Sequence, residues 1–215
     1  MPGTFLVFVF IGYFQMWEET MSTIAIILTS AIIAVVIGLP TGIAMSRSDR
    51  TEKIVTPILD IMQTMPPFVY LIPIVMLMGI GKIPGLISVV IYAIPPLIRL
   101  TNLGIREVDQ EALEAADAFG ATKKQKLFEV QLPLALPTIF AGINQTIMMA
   151  LAMVIIASMI GVKGLGQPVL QSIYNQYFTK GVLYGLAIVI VAIVFDRVSQ
   201  SYGQRIQKHR SGRLV

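Results

Sequence analysis

A chain of 215 residues that is 55% hydrophobic and only 13% charged is too greasy for an ordinary soluble domain of that length, which carries about 25% charged residues. With no cysteine and a single histidine, His209, it has no thiol nucleophile, disulfide or thiolate metal site, and a His-based zinc centre or catalytic triad is excluded. The formal net charge of +4 points to membrane topology through its placement, not to nucleic acid.

Hydrophobic residues gather into five long runs, at 21–45, 54–79, 84–101, 133–160 and 181–196, each read as a membrane helix. The last is short for a span and borrows residues before Gly181. Ahead of them, Phe5 to Met16 is too short to cross a bilayer. It also lacks the n-region and cleavage site of a signal peptide. Residues 1–20 therefore read as a short or truncated N-terminal hydrophobic segment, 21–200 as the membrane domain and 201–215 as a basic tail.

Lysine and arginine set the orientation. Arg47, Arg50 and Lys53 lie in the first connection. Arg99, Arg106, Lys123, Lys124 and Lys126 lie in or beside the third, and Arg197, Arg205, Lys208, Arg210 and Arg213 follow the last run. The alternate connections hold only Lys82, Lys163 and Lys180, a count of thirteen against three. The positive-inside rule puts the first group, with the C-terminus, in the cytoplasm. Trp17 then sits at the outer interface.

The runs are broken by Gly38-Leu39-Pro40, Pro66-Pro67, Pro73, Pro95-Pro96 and Pro137. Each proline removes a helical hydrogen bond and favours a kink. Gly38 and Gly42 permit close helix contact. Bent helices suit either plain packing or a pathway that opens and closes. Asp60 is the one acid well inside a hydrophobic run. It lies about 9 Å along the helix from Ile54, so it reads as a gate or structural acid, with Arg99 as a possible partner. Gly79-Ile80-Gly81-Lys82 only superficially resembles a phosphate loop, since Ile83 replaces the Ser/Thr.

Residues 102–132 form the longest polar stretch. Asp109 is placed to cap a helix, with Glu111 in its first turn. Ala112, Ala115, Ala116 and Phe119 recur at helical spacing and make one smooth apolar face. Gly120 suits the left-handed position after a helix end. Thr122 with Gln125 forms a capping box for a second helix, anchored by Leu127, Phe128 and Val130. Periodicity alone fits a partner-docking element and a loop packed on its own domain equally well. Beyond the next run, the Gly164-Leu165-Gly166 turn and Pro168 belong to an outer segment, 161–180. It fits a contact with another protein, an outer gate, or a re-entrant or surface loop.

The polar stretch also carries a motif. Glu114-Ala115-Ala116, three residues, Gly120, nine residues, Val130, one residue, then Leu132-Pro133 resembles the coupling loop of binding-protein-dependent ABC importer permeases. Asp60 to Leu71 (DIMQTMPPFVYL) is similar to the matching run of the glycine betaine/proline betaine permeases. So are Val130 to Thr138, Ala141 to Thr146, Ala157 to Ile160 and Gly164 to Gln167. These runs extend over residues 20–200.

The resemblance implies an all-α polytopic bundle with about five spans and a cytoplasmic coupling-helix loop over 102–132. It implies a prokaryotic inner-membrane location. It also implies a second permease copy (a homodimer), cytoplasmic ATP-binding subunits, an extracytoplasmic substrate-binding protein and surrounding lipid, with no nucleic acid. ATP and Mg would be used by the partner ATPase. No cofactor or metal is expected on this chain, which lacks a phosphate-binding loop and is not itself an enzyme.

The implied ATPase-coupling residues are Glu114, Ala115, Ala116, Gly120, Val130, Leu132 and Pro133. A quaternary ammonium is usually held by an aromatic cage. With one Trp and scattered Tyr and Phe, tight selection belongs to the binding protein. Gln63, Asn144, Gln145, Thr146 and Ser158 are candidates for a transient translocation path, interhelical hydrogen bonding being the plainer role. The expected function is import of glycine betaine or a related osmoprotectant by alternating access. An ATP-independent transporter or channel and a non-transporting scaffold are the alternatives.

Overall fold

The computed structural model describes residues 12 and 14–211, the side chains of Tyr202 and of 204–211 excepted. Most of the Phe5–Met16 segment and the side chains of the basic tail lie outside the described residues. Every element among the described residues is helical. The order is α1 (Trp17–Arg47), α2 (Asp49–Thr64), α3 (Pro67–Met78), α4 (Lys82–Ala93), α5 (Pro95–Arg106), α6 (Gln110–Ala118) and α7 (Lys123–Gln125). A π-helical turn (Lys126–Gln131), α8 (Leu132–Ala157), a 3-10 turn (Ser158–Ile160), α9 (Gly166–Tyr174) and α10 (Phe178–Ser211) complete it.

Four stretches are long and apolar enough to cross a membrane: Trp17–Arg47, Lys82–Arg106, Lys123–Ile160 and Phe178–Ser201. The run expected at 54–79 is not one rod. α2 and α3 meet at a 98° bend. Met65 and Pro66 each precede a proline, and the proline ring drives the preceding residue out of the helical region. Both are extended accordingly, with ψ of 133° and 142°. The Tyr70 hydroxyl donates across the elbow to the Met62 carbonyl. Its buried ring meets Tyr92 of α4 edge-on, with centroids 6.2 Å apart.

α5 lies at the centre, between α1 and α8, and the approaches are made at glycines. A Cβ on Gly42 of α1 would come within 2.6 Å of Thr101 Cβ and 2.8 Å of the Ile98 carbonyl oxygen. A Cβ on Gly104 of α5 would lie 2.8 Å from Thr138 Cβ, and one on Gly142 of α8 would lie 3.3 Å from Leu97 Cα. Bilayer lipid is as apolar as leucine, so close van der Waals contact of this kind is what holds such a bundle together. One large core joins α1, α4, α8 and α10 through residues such as Ile27, Val89, Ala150, Met153 and Ala187.

The connection after α8 folds back on α1. Val162 and Leu165 are buried, and the Leu165 N–H donates to Thr23 Oγ1 at 2.9 Å.

Candidate functional site

The polar stretch folds as a helical hairpin whose local rules are readable residue by residue. Asp109 caps α6, its carboxylate accepting from the Glu111 N–H at 3.0 Å. Such a cap contributes about 1 kcal/mol. At the other end Gly120 is left-handed, with φ +74°. Its N–H donates to the Asp117 carbonyl at 2.9 Å, and the Ala121 N–H to the Ala116 carbonyl at 3.0 Å. This is the paired arrangement of a Schellman stop. Thr122 and Gln125 then form a reciprocal capping box that starts α7. Lys126 folds back over the turn and its ammonium reaches Asp117 Oδ2 at 2.6 Å.

Only one side of the hairpin is anchored. Leu113 of α6 packs with buried Val108, Leu127, Ala135 and Ile139 and with Ile105 at the end of α5. Glu114, Ala115 and Gly120 are exposed, Ala112 and Ala116 half-buried, and Phe119 is 93% exposed at the tip. Phe128, expected to anchor the second helix, instead points outward at 63% exposure. It follows buried Leu127 directly and so lies about 100° away around the helix. The same segment makes a π turn, in which the Leu132 N–H donates to the Leu127 carbonyl, five residues back. Pro133 has no N–H for the next regular helical bond, so the chain changes register before α8 begins. Val130, Leu132 and Pro133 lie half-buried along this change.

A second anchorage was not legible in the sequence. Arg106, the last residue of α5, donates to the Met45 carbonyl at 3.0 Å and to Asp49 at 2.8 Å, and it pairs with Glu52 at 3.0 Å. Its Nε donates to Asn102 Oδ1 at 3.1 Å, and Asn102 Nδ2 donates to Glu52 Oε1 at 2.8 Å. The stem of the hairpin is thereby tied to the turn between α1 and α2. Three turns into α2, Asp60 forms an ion pair with Arg99 of α5.

The path candidates are distributed over the bundle. Gln63 is exposed near the end of α2, and Gln145 is exposed on α8. Asn144 Nδ2 donates to Asp196 Oδ1 of α10 at 3.1 Å. Asp196 also accepts from Gln200 at 2.8 Å. Thr146 is fully buried, and its hydroxyl has no hydrogen-bond partner among the described residues. Ser158 is buried and donates to the Ile155 carbonyl at 2.5 Å. Asn144, Gln145 and Thr146 are consecutive on one helix and so point to three sides of it. Ser158 lies about 18 Å further along the axis from Thr146. Within one copy these groups do not converge on a single point.

Comparison with known proteins agrees with this architecture. Residues 34–208 match the family described as binding-protein-dependent transport system inner membrane component. The chain is 52% identical over 202 residues to the glycine betaine/proline betaine transport system permease protein ProW of Escherichia coli (strain K12), covering 94% of this chain and 57% of that protein. It is 50% identical over 198 residues to the glycine betaine transport system permease protein OpuAB of Bacillus subtilis (strain 168), covering 92% of this chain and 70% of that one. The chain thus spans less than two thirds of the length of ProW. An inward-facing structure of the MetNI methionine ABC transporter shares the fold, with a TM-score of 0.80 over 88% of this chain and 94% of its own at 22% identity. So does an amino acid ABC transporter, with a TM-score of 0.75 over 91% and 96% at 20% identity. The chain is an all-helical, multi-span member of the binding-protein-dependent transport system inner membrane components.

Proposed function

We propose that this chain is the permease subunit of an ATP-driven importer for glycine betaine or a related quaternary-ammonium osmoprotectant. The observation that carries the reading is the capped hairpin, anchored on one side and offering small residues and the aromatic tip Phe119 on the other. Alanines at 112, 115 and 116 let a groove on another subunit approach the α6 backbone closely. Phe119, almost wholly exposed, supplies the large apolar anchor that such interfaces favour. The names of the relatives at 52% and 50% identity support the substrate class.

In this reading the hairpin and the C-terminal end of α10 face the cytoplasm, on the lysine- and arginine-rich side. Two copies assemble with two ATP-binding subunits, and a substrate-binding protein docks at the opposite face. ATP and Mg are used by the partner ATPase. Closure of the ATPases moves the hairpin, and the membrane helices switch the path between its two openings. Glu114, Ala115, Ala116 and Gly120 meet the ATPase. Val130, Leu132 and Pro133 carry the movement into α8. Asn144 braces α8 against α10 beside the path, Gln63 and Gln145 offer exposed polar groups to a passing zwitterion, and the buried Thr146 and Ser158 lie behind them.

The test is glycine betaine uptake in proteoliposomes holding the permease, its ATPase and its binding protein, with and without ATP. ATP-dependent uptake that is lost in Phe119→Ala and Gly120→Val, with all three proteins still reconstituted, is the expected result. Uptake by the permease alone without ATP would overturn it.

A further inference from the structure

The ion pairs between α2 and α5 form a pattern larger than any one contact. Asp49, Glu52 and Asp60 fall within about 80° of one another around α2. Arg99, Asn102 and Arg106 fall within about 60° around α5. The two stripes face each other: Arg106 contacts Asp49 and Glu52, Asn102 contacts Glu52, and Arg99 pairs with Asp60. On the far side of α2, Ile54, Ile58 and Ile61 are all more than half exposed. Leu59 is the one fully buried side chain of this helix. Val55 and Met62 lie half-buried beside it, packed on the cluster that includes Met45, Ile94 and Ile98. α2 is therefore held to the body by a ladder of polar contacts beside a short apolar strip.

The ladder ends where the hairpin begins. Arg106 closes α5, Val108 is buried in the hairpin's own cluster, and Asp109 caps α6. The other end of α2 leads through the elbow into α3, whose outer residues Ile72, Met76 and Leu77 are exposed.

We propose that the α2–α5 charge ladder is a latch through which displacement of the hairpin is passed to the bent α2–α3 arm, and that Arg106 is its positioning residue. Arg106 reaches the Met45 carbonyl, Asp49 and Glu52 through Nη2 while its Nε donates to Asn102 Oδ1, so two positions of one planar group are used at once. A lysine, which presents one point charge, cannot reproduce this. The latch rests on the transport reading above, because it assigns the ladder a part in moving the arm.

Two readouts on the complete complex test it. The chain has no cysteine, so Ile58→Cys on α2 and Glu111→Cys on α6 place one pair of spin labels on each copy, and dilution with unlabelled permease isolates the distance within a copy. In the assembled transporter the label–label distance is narrow in the parent. It broadens in Arg106→Ala, and less in Arg106→Lys, which keeps the charge but not the second donor nitrogen. ATP-driven betaine uptake falls by about tenfold in Arg106→Ala while ATP hydrolysis continues, and Arg106→Lys recovers only part of it. An unchanged distance distribution in Arg106→Ala overturns the latch. A broadened distribution with uptake at the parent rate overturns the positioning role. If the parent complex shows no ATP-driven uptake, the transport reading falls and takes the latch with it, and an intact narrow distance identifies that failure as functional rather than structural.

Discussion

Adding one methyl group at Gly42 is expected to destabilise the fold more than the same change at Gly38, four residues earlier on the same helix. Both glycines face α5. A Cβ at Gly42 would lie 2.6 Å from Thr101 Cβ, 2.8 Å from Thr101 Cγ2 and 2.8 Å from the Ile98 carbonyl oxygen. Two of those atoms are fixed to the backbone of α5 and cannot rotate away, so the helices must separate. Overpacking of this kind costs about 1–3 kcal/mol. The gain in helix propensity from Gly to Ala offsets about 1 kcal/mol of it. Taking the upper end, because no side-chain rotation relieves the clash, leaves a net loss of about 2 kcal/mol. At Gly38 the neighbours are Leu97 Cδ2 at 3.0 Å, Leu97 Cγ at 3.3 Å and Ile94 Cγ1 at 3.4 Å. These are side-chain atoms that can shift by a few tenths of an ångström, and the propensity gain cancels their cost. For a chain of this length, Gly42→Ala should melt about 4–8 °C below the parent in detergent, with Gly38→Ala within a degree or two of the parent. Equal melting temperatures for the two variants would refute the argument that the α1–α5 seam is closed at Gly42.

Gly120→Ala tests a different kind of cost. No atom lies within 4 Å of the added Cβ, so the penalty is the left-handed backbone alone, about 1–2 kcal/mol. Amide exchange at Ala121 should accelerate by tenfold or so, less in Gly120→Asn. Tyr70→Phe removes the hydroxyl that bridges the elbow to Met62. A loss of about 1 kcal/mol is expected, seen as a wider spread of distances between labels on α2 and α3. Asn144→Ala deletes a donor to Asp196, which keeps its bonds from Gln200. The cost should be near the membrane average of about 0.6 kcal/mol, and a loss several times larger in a detergent titration would mean that the pair carries more than an interhelical brace.

What could be read in the sequence was local. Asp109, Gly120, Thr122 and Gln125 act on backbone groups two to five residues away, so cap chemistry gave the hairpin's ends correctly. Glycine spacing likewise foretold a close approach at Gly38 and Gly42. Pro66-Pro67 announced a break, but not its 98° angle, nor that Tyr70 crosses to Met62 and meets Tyr92 edge-on. The π turn hid inside an apparently regular helix, since a missing N–H at Pro133 fixes where a register must change but not how. Phe128, expected as an anchor beside Leu127, faces out because adjacent residues lie about 100° apart around a helix. Hardest to read were pairs distant in sequence. Arg106 lies 57 residues from Asp49, and Asn144 lies 52 from Asp196. Arg106 counted only toward topology, and nothing in its neighbourhood marked it as the meeting point of two helices.

The same contrast indicates which part of the bundle can move at low cost. Separating α5 from α8 would open the contacts at Gly104 and Gly142 and expose a seam that includes Leu97, Ala135 and Ile139, all buried. In a bundle held by dispersion, that loss has no compensating gain. Separating α2 from the body uncovers Leu59 and the half-buried Val55 and Met62, and parts three acids from two arginines whose side chains are already a third exposed. Ion pairs at such exposure contribute about 0–1 kcal/mol each, and water re-solvates the charges as they part. An arm joined by exchangeable polar contacts and a short apolar strip parts at less energetic expense than the glycine seam. Displacement of a hairpin rooted in both places will therefore leave the α5–α8 body rigid and appear as motion of α2 and the elbow beyond it.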